Sequence, residues 1–142
     1  MEPKPDWLYN QSAVIPFRRE NGELRILLIT TLKSKKWIVP KGVIEPDLSP
    51  AESAEIEAYE EAGIKGKVYK EQIGKYRYRK WGGVCTVKVY LLEVKKILEE
   101  WPESELRERR WMSLRDAAEL VKEKSLKPIF MDLQYYIDKA GG

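Results

Sequence analysis

Three glutamates, Glu57, Glu60 and Glu61, stand close together in the stretch SPAESAEIEAYEEAGI. A helix turns by about 100° per residue, so their carboxylates share one face. Like charges three and four residues apart repel one another and weaken the helix that carries them. A compensating partner is therefore expected. With neither imidazole nor thiolate beside them, three oxygen donors suit a hard cation, Mg2+ or Mn2+. The alternative is an acidic face left to solvent. The chain contains no histidine, which excludes histidine acid–base catalysis and histidine metal ligation. Its single cysteine, Cys85, lies in the apolar run VCTVKVYLL, where a core position is expected rather than a nucleophile.

The helix that must present these glutamates is bounded by local signals. Ser49 and Pro50 read as its N-cap and first helical position, and Gly63 closes it. Ala51, Ala54, Ala58 and Ala62 form a separate stripe of small residues that lets the helix lie close to a sheet. Upstream, SAVIPFR and LRILLIT are apolar, β-branched runs joined through ENGE, and Asn21-Gly22 predicts a hairpin. KWIVP is a short strand stopped by Pro40, and residues 41–48 read as a loop. Downstream, strands are expected near 67–73, 75–79 and 84–94, then in ERRWM with Trp111 buried. SLRDAAELV is a helix capped by Ser113. A last helix over 128–139 places Ile129, Leu133, Tyr136, Ile137 and Ala140 on one stripe. This order predicts an α+β architecture, a mixed β-sheet flanked by helices. A chain of 142 residues suits one domain, 1–142.

The charged fraction is 35%, yet the signs are mixed and the net charge is only +3. That balance argues against a dedicated nucleic-acid or membrane-coating protein. The N-terminal MEPKPDWLYN carries prolines and acidic residues in place of an apolar signal region, and no apolar segment approaches the ~20 residues of a membrane span. The expectation is a cytoplasmic protein, monomer or homodimer.

The segment from Gly42 to Ile64 resembles the signature of the Nudix hydrolases, G-x5-E-x7-R-E-U-x-E-E-x-G-U, where U is a bulky aliphatic residue. Gly42 takes the first glycine, Glu57 the glutamate after the arginine, Glu60-Glu61 the paired glutamates, and Gly63-Ile64 the ending. The resemblance implies an α/β/α sandwich. It implies that Glu57, Glu60 and Glu61 bind Mg2+ or Mn2+, with the Gly42 backbone assisting. It also implies cleavage of a phosphoanhydride, with Glu60 or Glu61 as the catalytic group that accepts a proton from the attacking water. A further glutamate from outside the motif is expected among Glu103, Glu105 and Glu108. Two positions depart from the pattern: Leu48 replaces its first glutamate and Ile56 its arginine. An ion pair exchanged for packed apolar side chains can be neutral or stabilising, so Leu48 and Ile56 are expected to form a hydrophobic brace.

WIVPKGVIEP, EEAGIKGKV and ILEEWPESELRERRWMSLRDAAELV resemble the branch of that family that handles diadenosine and diphosphoinositol polyphosphates. Long phosphate chains require cations beyond the metal. The chain offers Lys33, Lys35, Lys36 and Lys41 before the helix, and Lys75, Arg77, Arg79 and Lys80 after it. Lys41, beside the metal loop, is the first choice for phosphate contact. In YRYRKW, alternation sets Arg77 and Arg79 on one face and Tyr76 and Tyr78 on the other, and arginine binds phosphate in a fork. An ordinary charged surface is the other reading. Tyr76 or Trp81 is expected to stack on a base. The expected partner is thus a small nucleotide or polyphosphate. Two rivals stand beside this reading: a Nudix pyrophosphatase acting on ADP-ribose, NDP-sugars, NTPs or RNA 5′ ends, and a Nudix-fold binding module without turnover.

Overall fold

A computed structural model describes residues 4–141. Residues 1–3, with which the stretch read for a signal region begins, and residue 142 lie outside the described residues. Among the described residues no helix is long and apolar enough to cross a membrane.

Two strands organise the sheet because each is long enough to serve more than one neighbour. β1 (Asn10–Glu20) runs parallel to β7 (Gly83–Ile97) from Asn10 opposite Thr86 to Phe17 opposite Glu93. The far half of β1 pairs antiparallel with β2 (Glu23–Thr30), whose outer edges carry β3 (Trp37–Ile38) and β8 (Arg109–Ser113). Its near half pairs with β4 (Lys41–Val43), so that Ser12 lies opposite Gly42. β7 likewise holds β6 (Gly74–Lys80) along its first half and β5 (Ile64–Val68) along its second. The Asn21-Gly22 turn forms as predicted, with both residues at positive φ and Glu20 opposite Glu23.

Helices cover both faces, which confirms the sandwich. On one face α1 (Pro50–Glu57) and the turn after it lay Ala54, Ala58 and Ala62 against Val14, Leu27, Ile29, Tyr90 and Leu92, all buried. The alanine stripe behaves as expected, since a helix without longer side chains approaches the strands closely. On the other face α2 (Leu114–Leu120), α3 (Lys127–Met131) and α4 (Leu133–Lys139) bury Ala117, Phe130, Leu133 and Ile137 over Ile15, Phe17, Val87 and Leu91.

Several boundaries differ from expectation. The supposed loop at 41–48 begins as a strand, because the backbone of Lys41–Val43 completes the ladder of β1. Strand β5 starts directly at Ile64 rather than near 67, and the single last helix is interrupted at Asp132. Of its predicted stripe, Ile129, Leu133 and Ile137 are buried, whereas Ala140 is exposed. Trp111 is only partly buried, with the Arg18 guanidinium 4.0 Å above its ring.

Candidate active site

The glutamates are delivered by a helix whose two ends are built differently. At the start Ser49 and Glu52 form a reciprocal capping box: the Ser49 hydroxyl accepts from the Glu52 N–H at 3.1 Å, and Glu52 accepts from the Ser49 N–H at 2.9 Å. At the end the helix widens into a π turn over Ala58–Ala62 before Gly63 stops it at φ 66°. Glu57 is the last α-helical residue, and Glu60 and Glu61 ride on the π turn. Such turns occur mostly as single insertions and often mark functional sites.

The widened turn is gripped from outside by residues 101–109. The Trp101 indole N–H donates to the Glu61 carbonyl at 3.0 Å. The Glu103 N–H donates to the Glu60 carbonyl at 3.1 Å. Arg109 donates to the Ala62 carbonyl at 2.8 Å while its guanidinium stacks 3.9 Å over the Trp101 ring. Carbonyls left free at a helix end thereby gain partners.

Glu57 and Glu61 both reach β4 where it passes the helix. A Cβ on Gly42 would stand 2.3 Å from Glu57 Cδ and 2.5 Å from its Oε2, so the absent side chain is what lets the Glu57 carboxylate rest on this backbone. Glu61 is buried and held at both oxygens: Oε1 accepts from the Lys41 backbone N–H at 3.1 Å, and Oε2 lies 3.5 Å from Arg107 Nη2. Arg107 also binds Glu103 Oε1 through Nε at 2.7 Å, and its Nη1 donates to the Thr30 carbonyl at 2.9 Å. The Lys41 ammonium sits 4.6 Å over the Tyr78 ring. Tyr78 in turn donates to Gln11 Oε1 at 2.7 Å, and Gln11 Nε2 donates to Cys85 Sγ at 3.6 Å.

The carboxyls of Glu57 and Glu61 are raised, by burial before mutual repulsion. Burial, then the charges of Glu61, Glu60, Glu103 and Glu45, push the Glu57 carboxyl up to about 8. Burial pushes Glu61 up to about 7, against the pull of Arg107 and the Lys41 N–H. Burial lowers Lys41, partly offset by Glu61 and reinforced by the charges of Lys80 and Arg107. Excess negative charge on an all-oxygen donor set is the chemistry of a hard cation, and the Gly42–Glu57 contact supplies the close backbone approach. No three acidic side chains among the described residues, however, converge closely enough to grip an ion as they stand.

The predicted residues divide accordingly. Gly42 meets Glu57, the Lys41 N–H meets Glu61, and the charge of Glu60 acts on Glu57. Tyr76 does not join them: it is 3% exposed within the core, and strand alternation that turns it inward removes it as a stacking surface. Arg77 and Arg79 are exposed and alternate to the face of β6 opposite Tyr78, so the strand does not bring them beside Lys41; it brings Lys80. Of the three outer glutamates, Glu103 alone acts on Glu57 and Glu61, while Glu108 uses its N–H to reach the Thr30 hydroxyl at 2.9 Å. Ile56 does not sit in a buried brace: it is 43% exposed beside a groove shared with Tyr59, Ile64 and Gly66, and Leu48 is half-buried. Sequence reasoning missed Arg107, although its spacing of four from Glu103 was the available signal.

The NUDIX domain family model matches residues 8–133. Nudix hydrolase 13, mitochondrial, of Arabidopsis thaliana is 36% identical over 111 residues, which cover 71% of this chain and 55% of that protein. The chain thus spans about half the length of several curated relatives that it matches. Diphosphoinositol polyphosphate phosphohydrolase 3-beta of Homo sapiens is 32% identical over 125 residues, 83% of this chain and 72% of that protein. Among solved structures, a C. elegans Ap4A hydrolase superposes with a TM-score of 0.74 at 19% identity, covering 90% of this chain and 97% of that one. That likeness is one of fold.

Proposed function

The chain belongs to the Nudix family, and from that footing we propose that it hydrolyses a phosphoanhydride bond of a dinucleoside polyphosphate, of the diadenosine tetraphosphate kind, or of a related phosphate-rich metabolite. The supporting observation is the union of the two charge sets at one strand edge: Glu57, Glu60, Glu61 and Glu103 beside the cations of Lys41, Lys80 and Arg107. The name of one relative, a diphosphoinositol polyphosphate phosphohydrolase, supports this substrate class.

In this reading Glu57, Glu60 and Glu61, with the Gly42 carbonyl, hold Mg2+ or Mn2+. When bound, the ion neutralises the diphosphate and lowers the pKa of a water. The chain's own residues do the remaining work. Glu61, fixed at both oxygens, or Glu60 receives the proton released as water attacks phosphorus. Lys41, whose ammonium lies over the Tyr78 ring, offers it to a phosphate oxygen, and Lys80 adds a second charge. Arg77 and Arg79, on the other face of β6, have no part in this reading.

Incubation with Mg2+ and a panel of diadenosine polyphosphates, diphosphoinositol polyphosphates, ADP-ribose, NDP-sugars, NTPs and capped RNA tests the proposal. The expected outcome is conversion of diadenosine tetraphosphate to ATP and AMP, or loss of phosphate from the diphosphoinositol substrate, abolished in Glu60→Gln and Glu61→Gln. Turnover confined to ADP-ribose or NDP-sugars would transfer the assignment to the rival pyrophosphatase. Binding without turnover of any substrate would make this a binding module.

A further inference from the structure

One guanidinium lies between two of the site's acidic groups, with its third nitrogen on a backbone carbonyl. Arg107 Nε binds Glu103 at 2.7 Å, Nη1 the Thr30 carbonyl at 2.9 Å, and Nη2 faces Glu61 at 3.5 Å. Its side chain is only 9% exposed. The three partners belong to different parts of the fold: the end of β2, the π turn and the segment after β7. A carbonyl and one carboxylate would satisfy an arginine that merely joined the segment to the sheet. The second carboxylate is what links it to the chemistry.

Glu61 needs such a partner. Its Oε1 is fixed by a backbone N–H, which cannot move without β4, so the bearing of Oε2 is set by Arg107. Glu103 and Glu61 repel, and a cation between them holds both in place. The rigid fork of arginine presents donors in fixed directions, which the single ammonium of lysine cannot reproduce.

We propose that Arg107 is the positioning residue of this site: anchored on the Thr30 carbonyl at the end of β2 and paired with Glu103, it fixes the bearing of Glu61, the carboxylate that the reading above places beside the cation and the attacking water. Its nitrogens are taken up by Glu103, Thr30 and Glu61, so it acts through Glu61. The proposal rests on the hydrolase reading above, but part of its test does not.

Arg107→Ala and Arg107→Lys are compared with the wild type in three measurements: circular dichroism for folding, Mn2+ titration calorimetry without substrate, and steady-state hydrolysis. Loss of a partner that orients a ligand typically costs about 10–100-fold in metal affinity or activity. Both variants are expected to keep the native spectrum, weaken Mn2+ binding and lower kcat by that order, and leave KM within about twofold, since substrate contacts are untouched. Millimolar methylguanidinium is expected to restore Mn2+ affinity to Arg107→Ala and not to Arg107→Lys. A folded Arg107→Lys with wild-type Mn2+ affinity and kcat overturns the proposal, as does failure of both variants to fold, which would make the ion pair a folding determinant. If the wild type cleaves no anhydride, the hydrolase reading fails alone, and the calorimetry still decides the role of Arg107.

Discussion

Glu57 and Glu61 each hold a proton more tightly in the folded chain than in the unfolded one, at about 8 and about 7 against an ordinary 4.5. Their sign follows directly. Between those limits the folded state binds protons that the unfolded state has lost, so stability is greatest on the acid side and declines as pH rises. With chelator present, the melting temperature should fall from about pH 5 to about pH 8 through these two groups, and millimolar Mg2+ should suppress the fall. Thermal melts across that range check it, and Glu57→Gln should flatten the slope. Gly42 tests the same cluster sterically. Gly42→Ala puts a methyl 2.3 Å from Glu57 Cδ, so the carboxylate must leave its seat. Mn2+ affinity by calorimetry is expected to drop by about 10–100-fold with the native fold retained.

At the scale of elements, the glutamates are placed less by the helix than by what holds its end. The first turn is self-sufficient through the Ser49–Glu52 box, and Ser49→Ala should cost about 1 kcal/mol in urea denaturation. The π turn depends on outsiders. Trp101, Glu103 and Arg109 supply the donors for the carbonyls of Glu60, Glu61 and Ala62. Trp101→Phe keeps the ring and deletes one donor, which should cost about 1 kcal/mol in the same measurement. Faster hydrogen exchange is also expected at the Gly63 amide, which bonds back into the turn. The repulsion among the glutamates is thus met within the fold by Arg107 and the Lys41 N–H as well as by any bound ion.

Across the whole molecule, the sandwich separates stability from chemistry. The core on the face of α2–α4 contains large buried side chains such as Phe130, Leu133 and Phe17, none of which touches the acidic cluster. Phe130→Ala should therefore lower global stability by about 3–5 kcal/mol in urea or heat while leaving the Mn2+ affinity of the folded fraction unchanged. The face of α1 is thinner in side-chain volume because its contacts are alanines, and that thinness is what sets the glutamate helix against β4.

Much of this was legible in the order of residues because the signals are local. Ser49-Pro50, Gly63, the alanine stripe, the Asn21-Gly22 turn and the Ser113 cap each act within a few positions, and all appear where the chain announces them. The family pattern that runs from Gly42 through the three glutamates was legible for the same reason. What stayed hidden depends on partners far apart in the chain. Residues 41–43 are a strand only because β1 is beside them, and Tyr76 is lost to the core only because β6 folds onto β7 with that face inward. Ile56, expected to pack in a hydrophobic brace, ends 43% exposed, whereas Arg107 reaches Glu61 and Thr30 across 46 and 77 positions of sequence. Charge and spacing determine which acids share a helix face; only tertiary contact decides which base stands between them.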